Sequence, residues 1–122
     1  FVTIADKDKQ EALPLVRRFY NLGFNIEATS GTAKFLKENG INTRVLKKIN
    51  EDSDEIRDAL RQGHIAYVIN TRDIASSGQE SDGRQIRAFA TENNVTIFTA
   101  LDTVRVLFQA KRMRFLRAMS LL

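Results

Sequence analysis

The sequence has 122 residues, of which 43% are hydrophobic and 28% are charged, with a formal net charge of +4. This length suits one domain, so residues 1–122 are expected to form a single domain around one core. The sequence contains no cysteine and one histidine, His64, which excludes disulfides, cysteine-ligated zinc, thiol nucleophiles and multi-histidine metal sites. No apolar run approaches the roughly 20 residues of a membrane span. We therefore expect a cytoplasmic protein without a metal site.

The first half of the sequence predicts three strands, each followed by a helix. Phe1–Ala5 is the first predicted strand. Because the sequence begins inside a strand pattern and without methionine, we expect it to be part of a longer polypeptide. The helix predicted at Lys9–Leu22 has a repeating apolar face and ends at Gly23, a residue typical of helix C-caps. The next predicted elements are a strand at 24–28, a helix at 33–39 and a strand at 42–49. A further helix is predicted to begin at the acidic residues of 51–54, which suit a helix N-terminus, and to end at Gly63.

The second half continues the alternation. Ile65–Asn70 is the most continuous apolar run and predicts a strand buried inside the sheet. Residues 72–83 are rich in Ser, Gly, Asp and Gln and predict a long mobile loop. A helix at 84–93, a strand at 95–99 and a last helix at 104–119 follow. Five strands alternating with five helices predict an α/β fold, a three-layer α/β/α sandwich around a parallel sheet.

Ligands of open parallel sheets bind outside the carboxyl ends of the strands. In this sequence those ends carry hydroxyls, a glycine and lysines rather than a histidine or paired carboxylates. The segment Thr29–Thr32 places hydroxyls and free backbone N–H groups at a helix N-terminus, which favours an anion. Two lysines add the full charges that suit a phosphate dianion. The predicted phosphate site comprises Lys9, Thr29, Ser30, Gly31, Thr32 and Lys48, with no catalytic residue.

Each of these residues also has an ordinary structural interpretation. Thr29 and Ser30 are good helix N-caps, and a lysine in a first helical turn, such as Lys9, is usually solvated. Lys47 and Lys48 are adjacent in a predicted strand, so only one of them can face a pocket. The convergence of these residues at one edge of the sheet favours the ligand site.

Several segments share their order and spacing with a known domain: Asp8-Lys9, Gly23-Phe24, Ala28–Thr32, Gly40-Ile41, Lys48 and Val68–Thr71. Together they resemble the methylglyoxal-synthase-like domain over nearly the whole chain. They resemble more closely the version of this domain at the C-terminus of the large chain of carbamoyl-phosphate synthase. The stretch Gln85–Ala90 matches the family's Ile-Arg-Arg pattern in part.

The resemblance implies a sheet in the order 3-2-1-4-5 and an effector pocket over its carboxyl edge. It implies an allosteric domain that binds a nucleotide monophosphate, such as UMP or IMP, and has no catalysis or cofactor of its own. The residues that would flank the effector are Asn70, Thr71, Arg72 and Thr99. Because Arg72 replaces a second threonine of the regulated synthases, the identity of the effector stays open.

The resemblance also implies a parent enzyme and its partners. The parent would be an ATP-dependent, glutamine-hydrolysing ligase that uses ATP with Mg or Mn in other domains. The implied partners are the catalytic domains of the same large chain and, through them, a glutaminase small chain. Neither nucleic acid nor a membrane is an expected partner. The sequence leaves open whether the parent serves pyrimidine or arginine biosynthesis.

Three other functions compete with the allosteric one. A methylglyoxal synthase, which releases phosphate from dihydroxyacetone phosphate, carries Gly-Gly-Asp after its third strand, where this sequence has Asn50–Asp54. We therefore expect those acids to cap a helix. A response-regulator receiver needs an aspartate after its third strand and a lysine after its fifth, and Lys47-Lys48 and Thr99 stand there instead.

A nucleic-acid or membrane module is the remaining alternative. Residues 103–122 hold five Lys or Arg and no Asp or Glu, which gives a charge of +5. Residues 1–102 hold 14 Lys or Arg and 15 Asp or Glu, which gives a charge of −1. Apolar residues alternate with these cations, as in a basic amphipathic helix. A last helix that packs on the sheet, with cations that complement its own C-terminal dipole, is the expected interpretation.

Overall fold

The computed structural model describes the backbone of residues 1–49, 53–71 and 77–120, and the side chains of 1–49, 53–71 and 83–110. Within these residues, five strands alternate with five helices. The strands are β1 (Val2–Thr3), β2 (Ile26–Ala28), β3 (Thr43–Val45), β4 (Tyr67–Asn70) and β5 (Thr96–Phe98). The helices are α1 (Lys9–Asn21), α2 (Ser30–Glu38), α3 (Glu55–Arg61), α4 (Ser77–Glu92) and α5 (Leu101–Ser120). The predicted α/β alternation is confirmed.

The strands form one parallel sheet in the order β3-β2-β1-β4-β5, as the resemblance implied. The central strand β1 pairs with β2 through Val2 and Ala28, and with β4 through Val2 and Ile69. Because every pair is parallel, the carboxyl ends of all five strands lie along one edge of the sheet. The chain turns after β1, β2 and β4 therefore meet near the middle of that edge.

A separate hydrophobic cluster covers each face of the sheet. On one face, β1 and β2 pack against α1, α2 and α5, with Val16, Leu36 and Val104 almost fully buried. On the other face, α3 packs against the sheet through Ile56 and α4 through Ile86. The side chains of successive strand residues pack in opposite clusters, because strand side chains alternate between the two faces of the sheet. The three-layer arrangement is therefore confirmed.

The predicted end of α1 is also confirmed. Gly23 has a φ of 98°, and its N–H donates to the carbonyl of Tyr20 at 3.0 Å. A residue with a Cβ is strained at this φ, so a glycine suits the end of the helix.

The prediction of a long loop at 72–83 is wrong over residues 77–83, because α4 begins at Ser77. Residues 72–76 lie outside the described residues. Serine and glycine each cost a helix roughly 0.5–1 kcal/mol relative to alanine. That local preference is weaker than the packing of the same helix through Ile86 and Ala90, both buried.

Candidate anion-binding site

A cavity of about 260 Å³ lies at the carboxyl edge of the sheet, between the end of β1, the start of α2 and the facing sides of α3 and α4. The predicted site residues that line it are Lys9, Thr29, Gly31, Thr32, Lys48, Asn70 and Thr71. Asp6, Ile56, Gly83 and Ile86 also contribute to its wall. The structure thus brings together residues from six separate parts of the chain.

Two predicted site residues that the structure describes, Ser30 and Thr99, are not part of this wall. Ser30 is the first residue of α2 and is exposed to solvent. Thr99 is also exposed, in the bend that follows β5. Arg72 lies outside the described residues.

The start of α2 has free backbone donors. Helix α2 begins three residues earlier than predicted, with Thr29 at the N-cap position. The Thr29 side chain does not cap the helix; its Oγ1 donates to Thr3 Oγ1 at 3.1 Å. The N–H groups of a first helical turn have no partner within the helix. In the described part of the chain no side chain caps α2, so these groups are available to an anion next to Gly31 in the cavity wall.

Two buried threonines fix the chain where it leaves β1. Thr32 Oγ1 accepts a hydrogen bond from the N–H of Ile4 at 3.0 Å, and Thr71 Oγ1 accepts one from the N–H of Ala5 at 2.9 Å. Both threonines are at least nine-tenths buried. They connect α2 and the end of β4 to the turn that precedes α1. In this structure the Thr32 hydroxyl is therefore engaged with backbone.

Asn70 supplies a buried amide donor to the cavity. Its side chain lines the wall, and only 4% of the residue is exposed. Among the residues that the structure describes, none accepts a hydrogen bond from its Nδ2. A buried donor without an acceptor costs about 1–3 kcal/mol. An oxygen-rich ligand in the cavity would provide the acceptor.

The cationic groups gather at the mouth of the cavity. Lys9 Nζ forms an ion pair with Asp6 Oδ1, and the Lys9 side chain is 17% exposed whereas that of Asp6 is 92% exposed. Lys9 Nζ also lies 3.8 Å from where a Cβ on Gly31 would be, which places the ammonium beside the start of α2. The hydrogen bond and the charge of Lys9, with a smaller contribution from Lys48, hold the pKa of Asp6 below its ordinary value.

Asp6 is the site residue that sequence reasoning missed. It directly follows the first predicted strand, Phe1–Ala5, and is absent from the predicted site. In the structure, Asp6–Asp8 form a 3₁₀ turn whose C-cap is Lys9, and this turn brings the carboxylate onto the ammonium. An acid three residues before a site lysine is the signal that the sequence offered.

A second, larger cavity of about 900 Å³ lies at the opposite, amino edge of the sheet. Its wall includes the rings of Phe19, Phe24 and Tyr67 and the buried side chain of Glu27. Glu27 is paired with His64 Nε2 at 3.2 Å and with Arg44 at 3.6 Å. A carboxylate among aromatic rings does not suit a phosphate, so the smaller cavity is the candidate anion site.

The described residues also bear on metal binding and on membrane insertion. Their side chains include no group of three or more His, Cys, Asp or Glu that could hold a metal ion. No helix in this part of the chain has both the length and the apolar character needed to cross a bilayer.

Comparison with known proteins places the fold. The family model of the MGS-like domain matches residues 11–99. Among solved structures, methylglyoxal synthase from Elizabethkingia anophelis NUHP1 is similar, with a TM-score of 0.72 over 87% of this chain and 73% of that chain. The two sequences are 19% identical, so this likeness concerns the fold alone. The family match includes α2 and the ends of β2 and β4. Because the match covers more than half of the chain, the chain belongs to the MGS-like domain family.

Proposed function

We propose that this domain binds a phosphorylated small molecule of the nucleotide monophosphate class as an allosteric effector. We also propose that it regulates the large chain of a carbamoyl-phosphate synthase. The observation that supports binding is the convergence of three kinds of donor on one cavity: the Lys9 ammonium, the Asn70 amide and the N–H groups at the start of α2. All of them favour an anion with several oxygen acceptors.

The charge at the cavity suits a phosphate. Lys9 and Lys48 are cations, Asp6 is an anion, and the start of α2 adds about half a positive charge. The sum is clearly positive. A phosphate monoester carries between one and two negative charges at neutral pH and has three terminal oxygens that accept hydrogen bonds. The donors around the cavity match these oxygens.

The size of the cavity favours a ligand that is only partly enclosed. Its volume of about 260 Å³ is below the roughly 300–1,000 Å³ typical of pockets that enclose a drug-sized molecule. A phosphate with part of its sugar fits this space, and the remainder of a nucleotide extends from the mouth. Such a ligand can contact a neighbouring domain of the parent chain, as an effector should.

The ionisable groups support binding rather than catalysis. A general base works best with a pKa near the operating pH. Asp6 is the carboxylate that lines the cavity among the described residues, and its pKa is held low by Lys9. A carboxylate in that state is a weak base. In the proposed parent, the chemistry belongs to other domains, which would use ATP with Mg or Mn and ammonia from a glutaminase small chain.

One finding favours a second function, that of a methylglyoxal synthase-type enzyme. The solved structure from Elizabethkingia anophelis that resembles this chain is such an enzyme by name. The reaction would release phosphate from dihydroxyacetone phosphate. The residues where that family has its Gly-Gly-Asp segment fall partly at 50–52, outside the described residues. A phosphate cavity serves this function as well, so an assay must separate the two.

Calorimetric titration of the 122-residue protein with UMP, IMP and inorganic phosphate tests binding. Lys48→Gln should weaken binding by at least about tenfold, since one charge-assisted hydrogen bond is worth roughly 1.5 kcal/mol or more. Lys47→Gln is the matched control, because Lys47 is adjacent, exposed and absent from the cavity wall. Absence of heat with all three ligands contradicts the proposal. Release of inorganic phosphate from dihydroxyacetone phosphate favours the enzyme instead.

A further inference from the structure

Asp6 is an acid in the wall of a cavity whose other features favour anions. Its carboxylate contacts the ammonium of Lys9, which is the cation that the proposed ligand needs. The Lys9 side chain is mostly buried and the Asp6 side chain is almost fully exposed. The ammonium therefore lies inside the mouth of the cavity and the carboxylate lies on its outer side.

The backbone that carries Asp6 is held in place. Thr32 and Thr71 accept the N–H groups of Ile4 and Ala5, the two residues before it. The N–H of Asp8 donates to the carbonyl of Ala5 at 2.9 Å, which closes the 3₁₀ turn. A ligand cannot easily move this turn. The Asp6 side chain, in contrast, is exposed and can rotate into solvent without breaking any packed contact.

We propose that Asp6 competes with the ligand phosphate for Lys9. In the empty site the Asp6 carboxylate pairs with Lys9; on binding, a phosphate oxygen takes its place and the carboxylate turns toward solvent. This inference rests on the proposed function, and it makes Asp6 a residue that lowers affinity. A domain that senses an effector must release the ligand as well as bind it. An internal competitor for Lys9 raises Kd and so raises the ligand concentration at which the site is half occupied.

The opposite role for Asp6 is to position Lys9 for the ligand. The two roles predict opposite effects of Asp6→Asn on the affinity for the ligand. If Asp6 competes, Asp6→Asn removes both the competing pair and a negative charge near the phosphate, and binding tightens. If Asp6 positions Lys9, the same substitution frees the lysine to move and binding weakens. The side chain is exposed, so neither outcome should involve loss of folding.

The test is calorimetric titration of inorganic phosphate and UMP into the wild type, Asp6→Asn and Asp8→Asn. Asp8 is the matched control, since it belongs to the same turn but does not line the cavity. Asp6→Asn should lower Kd by about threefold to tenfold, as expected for an exposed ion pair and one nearby charge. Asp8→Asn should change Kd by less than about twofold, because Asp8 is not part of the cavity wall and its charge is screened. In a Lys9→Gln background, Asp6→Asn should increase the affinity for phosphate by a smaller factor.

The outcomes separate this inference from the proposed function. Wild-type binding with an unchanged or weaker Asp6→Asn variant overturns the competition alone. Absence of binding by both proteins overturns the proposed function and the competition with it. A second readout is the pKa of the Asp6 carboxyl, followed by NMR. It should rise when phosphate saturates the site, because Lys9 no longer pairs with Asp6; an unchanged pKa overturns the exchange.

Discussion

The carboxyl and amino edges of the sheet differ in how their buried polar groups are satisfied. At the amino edge, the Glu27 carboxylate has two protein partners, His64 and Arg44. At the carboxyl edge, the amide of Asn70 has none among the described residues, and the start of α2 has no side-chain cap. Helix N-termini follow the strands in this topology, so the positive ends of helix dipoles lie at the carboxyl edge. Within the described residues, the buried carboxylate of the amino edge is therefore paired inside the protein, whereas Asn70 and the start of α2 at the carboxyl edge keep the hydrogen-bonding capacity that the proposed ligand requires.

The largest expected effect is at the carboxyl edge. Lys9→Gln should weaken phosphate binding by about tenfold to a hundredfold, since it removes a charge-assisted hydrogen bond worth roughly 1.5–3 kcal/mol. The free energy of unfolding should barely change, because the Lys9–Asp6 pair is exposed on one side. Titration calorimetry and urea unfolding measure the two effects. Lys7→Gln, an exposed lysine of the same turn, should alter neither, and an equal loss there would indicate non-specific electrostatics.

A smaller effect is expected for a substitution that tests whether residues of the carboxyl edge also stabilise the fold. Thr32→Val should lower the free energy of unfolding by about 1–3 kcal/mol, because the N–H of Ile4 loses its acceptor. Thr32→Ser keeps the hydroxyl and should retain most of the stability. Urea unfolding of both variants is the measurement. A Thr32→Val variant as stable as the wild type would contradict the role of the hydroxyl, and a Thr32→Ser variant that loses as much stability would show that the methyl group matters equally.

The smallest effect is expected at the amino edge. Glu27→Gln should lower the free energy of unfolding by about 0.5–1 kcal/mol, since the partners His64 and Arg44 are partly exposed and water screens the pairs. Phosphate affinity should stay within about twofold, because the charge is remote from the cavity and screened. Glu38→Gln, at an exposed position of α2, controls for net charge. A large change in phosphate affinity would mean that the two edges are coupled.

Local sequence signals predicted much of this molecule. The alternation of apolar runs and helical faces depends on short-range periodicity, which is why the α/β sandwich and the end of α1 at Gly23 were predicted. Lys9 and Gly31 follow strands, Asn70 ends one, and parallel pairing brings every strand end to the same edge. Their meeting in one cavity therefore needed no knowledge of distances.

The features that local signals did not predict depend on tertiary position, as does the placement of two predicted site residues outside the cavity wall. Thr99 follows β5, the edge strand, and lies two strands from β1, which at about 4.8 Å per strand is roughly 10 Å away. Ser30 precedes Gly31 by one helical position and so points about 100° away from it. The bond between Thr32 and Ile4 joins residues 28 positions apart, and no local pattern reveals it. Helix α4 extends across Ser- and Gly-rich residues because its packing outweighs composition.

The two threonines that hold Ile4 and Ala5 bear on how this site can be transferred or redesigned. Strand β1 has only two residues in the described sheet, so the chain beyond it is anchored by hydroxyls from α2 and from the residue after β4. A designer who grafts the lysines and the glycine alone onto another parallel sheet would obtain the charges without the support that orients them. Thr32 and Thr71 belong to the minimal transferable unit as much as the cations do, and a graft that omits them should present Lys9 in many orientations.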